Sequence, residues 1–228
     1  MGIRFPRRPE DVKFPRPEDV RFPRPEDVKF PRPEDVRFPE VAREAFASGG
    51  LLLGAVVTLG ERTDDGFLVE AVTLPWFEIV RFLMEDPERR FQIPWRKWEE
   101  MIAGAYRRAG FEIVTLTHRS GDHGRDVVAV KRDGGIMVGQ VRIIDQVKAY
   151  GPGQLVPAND VRALMGVLFA EDRPASKAVL TTTADFAPRL LQDPAVARLV
   201  PHRLQLVNGI ELLRRLAAAA EGTTKPAG

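Results

Sequence analysis

Apolar and polar positions along residues 95–219 follow two different periods, and the switches between them outline a domain. Trp95, Trp98, Ile102, Ala105, Tyr106 and Ala109 recur at helical spacing and stop at Gly110, which predicts an amphipathic helix. On its wheel, at about 100° per residue, Glu99 borders the apolar stripe and Glu100 lies on the far side. Only Glu99 is placed to face inward. Strands are expected over Phe111 to Thr117, Asp126 to Val130 and Ile136 to Lys148, the last bent or bulged, with a turn over Lys131 to Gly135. A helix around Asp160 to Phe169, a strand Lys177 to Thr183, a helix around Ala187 to Leu199, a strand Arg203 to Val207 and a helix Ile210 to Ala219 complete the pattern. The order α-β-β-β-α-β with a further αβα specifies an α/β fold, a mixed sheet flanked by helices on both faces.

Two regions precede this domain. In residues 40–94, Leu51 to Leu59 and Phe67 to Val72 flank a Glu-Arg-Thr-Asp-Asp-Gly turn and predict a β-hairpin, with a short amphipathic helix from Trp76 to Met84. This stretch is too small for an independent domain. It is expected to be an accessory that packs against the core or pairs two subunits into a homodimer. Its Asp64-Asp65 pair reads more simply as a turn than as a metal site. Residues 1–39 are repetitive, with Pro-Glu-Asp-Val at 9, 17, 25 and 33 and Phe-Pro at 5, 14, 22, 30 and 38. Two prolines per repeat remove donors and fix φ, so a disordered spacer is expected and no core. The repeat balances basic against acidic residues and makes a poor DNA-binding arm; a tether for another partner is the alternative. Residues 220–228 read as a flexible tail.

Composition narrows the chemistry. A net charge of +2 and a pI near 9.1 neither demand nor exclude a nucleic-acid partner. Zero cysteines exclude disulfides, thiolate metal sites and cysteine nucleophiles, and three scattered histidines leave little material for a histidine zinc site. No apolar run approaches the roughly 18–20 residues of a membrane span. The N-terminus lacks a signal-peptide core, so the chain is expected to stay in the cytoplasm.

Candidate chemistry concentrates between Asp122 and Lys148. Gln146 and Lys148 are two apart on a strand and share a face, while Val147 and Asp145 point the other way. The Asp126 carboxylate can hold a divalent cation, Gln146 can offer a carbonyl oxygen to the same ion, and Lys148 can hold the attacking water or the strained phosphate. That combination suits hydrolysis of a phosphodiester. Taken alone, the triplet also fits an edge strand with a solvated lysine. Arg119, Arg125, Arg142 and Arg162 are candidate DNA contacts, although each by itself reads as an ordinary solvated arginine.

Several segments then resemble one family in the same order. They are Trp-Glu-Glu-Met-Ile-Ala from Trp98, Gly-Phe-Glu-Ile-Val-Thr-Leu-Thr from Gly110 and Ser-Gly-Asp-His-Gly-Arg-Asp-Val-Val-Ala from Ser120. Gln-Val-Lys-Ala-Tyr from Gln146, Val-Arg-Ala-Leu-Met-Gly-Val from Val161 and Ala-Val-Leu-Thr-Thr-Thr-Ala-Asp-Phe from Ala178 follow. From about Asp86 to Leu216 the chain resembles the Mrr-like (type IV restriction) endonucleases of the PD-(D/E)xK nuclease superfamily. The resemblance implies a restriction-endonuclease-like core and Mg²⁺- or Mn²⁺-dependent hydrolysis of DNA, in restriction and defence or in DNA processing. It matches Glu99 to the helix glutamate, Asp126 to the metal-binding aspartate, and Gln146 and Lys148 to the motif's acidic position and lysine. Asp122 matches the leading aspartate of the Asp-x-Gly-x-Asp element, and Glu99 reaches the ion through a water. Gln146 stands where the superfamily has Asp or Glu, so the ion would be held by less negative charge. Two other readings stay open, a catalytically silent nuclease-fold DNA-binding module and an interaction protein organised by the repeats.

Overall fold

A computed structural model of the chain describes residues 54–117, 125–133, 139–170 and 175–222. The repeats, Arg119, Asp122 and Leu51–Leu53 lie outside the described residues.

The chain opens with an antiparallel hairpin of β1 (Val57–Thr63) and β2 (Gly66–Val72), followed by α1 (Leu74–Glu85) and a 3-10 turn over Pro87–Gln92. Next come α2 (Trp95–Arg108), β3 (Ile113–Leu116), β4 (Val127–Asp133) and β5 (Gly139–Lys148). A short β6 (Leu155–Val156), α3 (Ala158–Ala170), β7 (Lys177–Thr182) and β8 (Asp185–Phe186) follow, then α4 (Pro194–Ala197), β9 (Leu204–Val207) and α5 (Gly209–Glu221). The main sheet has seven strands in the order β1-β2-β3-β4-β5-β7-β9, and β6 pairs with β8 apart from it. Neighbours from β1 to β5 are antiparallel, whereas β5, β7 and β9 are parallel. The expected mixed sheet flanked by helices on both faces is therefore present.

Strand parity separates two cores. Val114, Leu116, Val127, Ala129, Val179 and Val207 point to one face and pack against α1, α2 and α5. Val128, Val130, Ile144, Ala178, Leu180, Leu204 and Leu206 point to the other, beneath α3 and α4. Among the described residues, no helix is long and apolar enough to cross a membrane.

The hairpin and α1 are built into this body. β2 pairs with β3, so the hairpin extends the main sheet. Val56, Val57, Val69, Trp76, Ile79, Val80, Phe82, Leu83 and Met84 all belong to the first core. The Trp76 indole is fully buried and donates to the Met101 carbonyl at 2.9 Å. Gly104 makes this close approach possible, since a Cβ there would lie 2.5 Å from Trp76 Nε1.

Several expected boundaries shift for identifiable reasons. The single helix expected over Ala187 to Leu199 is replaced by a 3-10 turn, Leu190–Gln192, and the four-residue α4. Pro194 has no N–H to continue a helix and instead starts a new turn, capped by the Asp193 carboxylate, which accepts from the Ala195 N–H at 3.0 Å. β4 continues through Lys131 and Arg132 where a turn is expected, because these residues pair with Val141 and Gln140 beyond the end of β3. No core covers that extension, so polar side chains are tolerated. In the same way Glu61–Thr63 belong to β1 and not to the turn, which shrinks to Asp64 and Asp65. Between Gly139 and Asp145 the β4–β5 register is continuous, without the expected bulge.

Candidate active site

The C-terminal end of β5 is held from both flanks. Val127 pairs with Asp145, and the preceding Asp126 N–H also donates to the Asp145 carbonyl at 3.0 Å. On the other flank, three consecutive threonines each secure a different point. Thr181 donates to the Asp145 carboxylate at 3.1 Å, Thr182 to the Lys148 carbonyl at 2.8 Å and Thr183 to the Tyr150 carbonyl at 2.7 Å. No role is expected for these threonines from sequence. The available signal is three hydroxyls in a row at the end of a parallel strand, where an apolar run is the norm.

Asp126 stands at the start of β4, half-buried, and its Oδ2 accepts from the Val147 N–H at 2.6 Å. The register ends at the Val127–Asp145 pair, and Asp126 then bonds the backbone on either side of Gln146, its N–H donating to the Asp145 carbonyl and its carboxylate accepting from the Val147 N–H. Gln146 and Lys148 share the strand face of Ile144, on the side of the second core, while Val147 packs towards the first. The Gln146 side chain is buried, and its Oε1 accepts no hydrogen bond from any described residue. A buried carbonyl oxygen without a donor costs roughly 1–3 kcal/mol, and a cation would relieve that cost. The available donors are a carboxylate and an amide oxygen, hard ligands that suit Mg²⁺ or Mn²⁺. Among the described residues no group of three His, Cys, Asp or Glu side chains is gathered as a metal cage.

Glu99 approaches from the other layer. It is 3% exposed, and its carboxylate takes an ion pair from Arg96 at 2.7 Å. Glu100 is more exposed and pairs with Lys97 at 2.7 Å. Seven residues after Glu99 on the same helix, the Tyr106 hydroxyl donates to Asp145 at 2.8 Å. The chain reverses between α2 and β3, and β3 runs in the same direction as β5, so α2 is antiparallel to β5. At 1.5 Å per residue, Glu99 then lies about 10 Å along the helix from Tyr106, on the first-core face of the sheet, whereas Gln146 and Lys148 are on the second-core face. Trp95, counted in the apolar stripe of this helix, is 57% exposed, with the Arg96 guanidinium 5.1 Å from its ring centroid.

Asp145 is buried on the face opposite Gln146, between Tyr106 and Thr181. Burial pushes its carboxyl up to about 7, against the hydrogen bonds from Tyr106 and Thr181 and the nearby Arg215, which pull it down. Burial, followed by the charge of Asp145, raises the Tyr106 phenol in turn. The raised carboxyl keeps in the folded state a proton that the unfolded chain loses, so folding should be penalised as pH rises from about 4 to about 7 and by a constant amount above that. The stability of the protein relative to Asp145→Asn is expected to fall across this window at about 1.4 kcal/mol per pH unit, as read by denaturant melts of both proteins. A stability difference independent of pH would contradict the assignment.

Three of the candidate DNA-binding arginines, Arg125, Arg142 and Arg162, have definite partners. Arg142 is buried and donates to Asp65 in the β1–β2 turn at 3.1 Å. Arg125 lies 3.7 Å from the same carboxylate. Arg162 is exposed, donates twice to Asp193, at 2.7 and 3.1 Å, and bonds Asn159 at 3.1 Å.

Residues 91–216 match a family model described as restriction endonuclease, the Mrr catalytic domain. No curated protein matches the chain. Two solved structures are similar to it, each at 18% identity. One is the MspJI restriction endonuclease in complex with a 27-mer oligonucleotide, aligned over 65% of this chain and 32% of that one with a TM-score of 0.39. The other is the DNA modification-dependent restriction endonuclease AspBHI, aligned over 68% and 41% with a TM-score of 0.43. The matched part thus spans about a third to two fifths of the length of these proteins.

Proposed function

The chain belongs to the restriction endonuclease family whose model covers residues 91–216, and from that membership we propose that it is a divalent-metal-dependent endodeoxyribonuclease of the cytoplasm. Restriction or DNA processing is its proposed setting, and a double-strand break would need the two sites of a homodimer. The observation that carries the metal-dependent reading is the buried Gln146 Oε1, which accepts no hydrogen bond from any described residue and belongs to the residue between Asp145 and Val147, the two β5 residues that Asp126 bonds.

Asp126 and Gln146 would hold Mg²⁺ or Mn²⁺, with Glu99 acting through a water. When bound, such an ion stabilises charge on the scissile phosphate and makes a hydroxide-like nucleophile available near neutral pH. The chain's own part is positional and electrostatic. Asp126 is oriented by the Val147 N–H, which fixes the rotamer of its carboxylate. Lys148 projects on the face of Gln146 from a backbone pinned by Thr182 and Thr183. Its ammonium offsets charge developing on the phosphoryl oxygens with little rearrangement.

Incubating the protein with supercoiled plasmid tests the proposal. Nicked or linear product is expected with Mg²⁺ or Mn²⁺ and none with a chelator, and intact plasmid under every condition would overturn it. The two glutamates of α2 should also be unequal. Glu99→Gln is expected to slow cleavage about tenfold or more, the usual loss for an outer-shell group, while Glu100→Gln keeps its rate. Equal loss from both would contradict the placement of Glu99.

A further inference from the structure

The β1–β2 turn lies outside the family match, yet it reaches the strand ends that carry the proposed site. Gly66 follows Asp65 with φ +139°, and a Cβ there would fall 1.9 Å from the Leu116 carbonyl oxygen and 2.8 Å from Thr117 Cα. The turn is therefore pressed against the end of β3, at a distance only glycine allows. From that position Asp65 receives Arg142 of β5 at 3.1 Å and faces Arg125 at 3.7 Å, the residue immediately before Asp126. Thr117 holds the same point from the other side, its hydroxyl bonding the Arg125 carbonyl and its N–H donating to the Asp126 carbonyl at 3.0 Å.

We infer that Asp65 is a positioning residue of the nuclease site: its carboxylate ties Arg125 to Arg142 and so fixes where β4 begins and where Asp126 points. The inference rests on the proposed function above. The three side chains are 21%, 18% and 9% exposed, so the network is largely withdrawn from water. An exposed ion pair would contribute little, but this enclosed carboxylate is shared by two guanidinium groups, and its removal takes away the charge that offsets their mutual repulsion and the link between β4 and β5. The nearest way for the chain to relieve that strain is to move Arg125, and Asp126 moves with it. Metal sites are sensitive to such displacement because their ligands must be held within about 0.5 Å of the productive geometry. Asp65 thus gains a role that a plain turn residue does not have, and the hairpin becomes part of the site's support.

The test uses the full-length protein and its Asp65→Asn and Asp65→Glu variants, with Mn²⁺ titrated calorimetrically beside plasmid cleavage and thermal melting. Asp65→Asn is expected to melt cooperatively at a lower temperature than the wild type and to bind Mn²⁺ about tenfold more weakly. Its kcat should fall about tenfold or more while its KM for DNA stays unchanged. Asp65→Glu, which restores the charge, should recover most of both losses. Wild-type Mn²⁺ affinity and kcat in Asp65→Asn would overturn the inference. So would tighter DNA binding with unchanged kcat, which would make Asp65 a mask over two DNA-binding arginines. Loss of cooperative melting, or no recovery in Asp65→Glu, would also overturn it by reducing Asp65 to a structural contact. A wild-type protein that neither binds Mn²⁺ nor cuts overturns the nuclease reading itself, whereas the preceding outcomes concern Asp65 alone.

Discussion

Lys148→Ala is expected to lower turnover by about 10²-fold or more while leaving divalent-ion binding largely intact. Lys148 shares a strand face with Gln146, but it is a cation and contributes no ligand. Its loss removes charge stabilisation that matters as the phosphoryl oxygens become more negative, and little that matters to the resting ion. Gln146→Glu separates the other half of the site. It adds a negative charge with little change of shape at an oxygen that now accepts no hydrogen bond from the described residues, so Mg²⁺ binding should be preserved or tightened. Calorimetric titration of Mg²⁺ beside a cleavage assay distinguishes the two variants. Lost ion binding in Lys148→Ala, or lost ion binding in Gln146→Glu, would contradict the division of roles.

A chain that begins at Phe91, where the family match starts, is expected not to fold. It would lack β1, β2 and α1, and with them the buried Val56, Val57, Val69, Trp76, Ile79, Val80, Phe82, Leu83 and Met84. Burying one large apolar side chain contributes roughly 1.5–3 kcal/mol, whereas a whole domain is stable by only about 5–15 kcal/mol. The ordering entropy of the removed residues offsets part of that loss, so the deciding cost is the apolar surface laid bare on what remains. Trp98, Met101 and Val114 would also be stripped of their cover. By contrast, a chain beginning at Val41 removes only the repeats and should keep its melting temperature and cutting rate. Circular dichroism melts of the two truncations check both expectations. A cooperative melt in the chain starting at Phe91 would mean that the hairpin and α1 are dispensable, and a large destabilisation in the chain starting at Val41 would mean that the repeats dock on the body.

The features legible in sequence are those carried by local periodicity. The spacing of Trp98, Ile102 and Tyr106 located α2 and showed that Glu99 faces inward. The two-residue period of a strand put Gln146 and Lys148 on one face and Asp145 on the other, as the register now has them. Features that depend on partners distant in sequence were not legible. The pairing of Leu68 with Thr115 joins the hairpin to the main sheet across nearly fifty residues, and no local pattern announces it. Tyr106 and Asp145 are 39 residues apart, so nothing nearby indicates that the aspartate is buried beneath a phenol. Arg142 reads as solvated in a polar stretch of strand, yet Asp65 draws it inside from a turn 77 residues earlier. The helix expected over Ala187 to Leu199 was misread differently, because its apolar spacing runs on across Pro194 and backbone chemistry overrides that pattern.

Plasmid cleavage by Asp126→Ala, prepared beside the wild-type protein, tests most directly whether Asp126 anchors a metal-dependent cutting site. With Mg²⁺ or Mn²⁺ present, the wild-type protein is expected to convert supercoiled plasmid to nicked or linear forms, and Asp126→Ala to leave it supercoiled. An Asp126→Ala protein that still cuts in a metal-dependent manner would contradict the account.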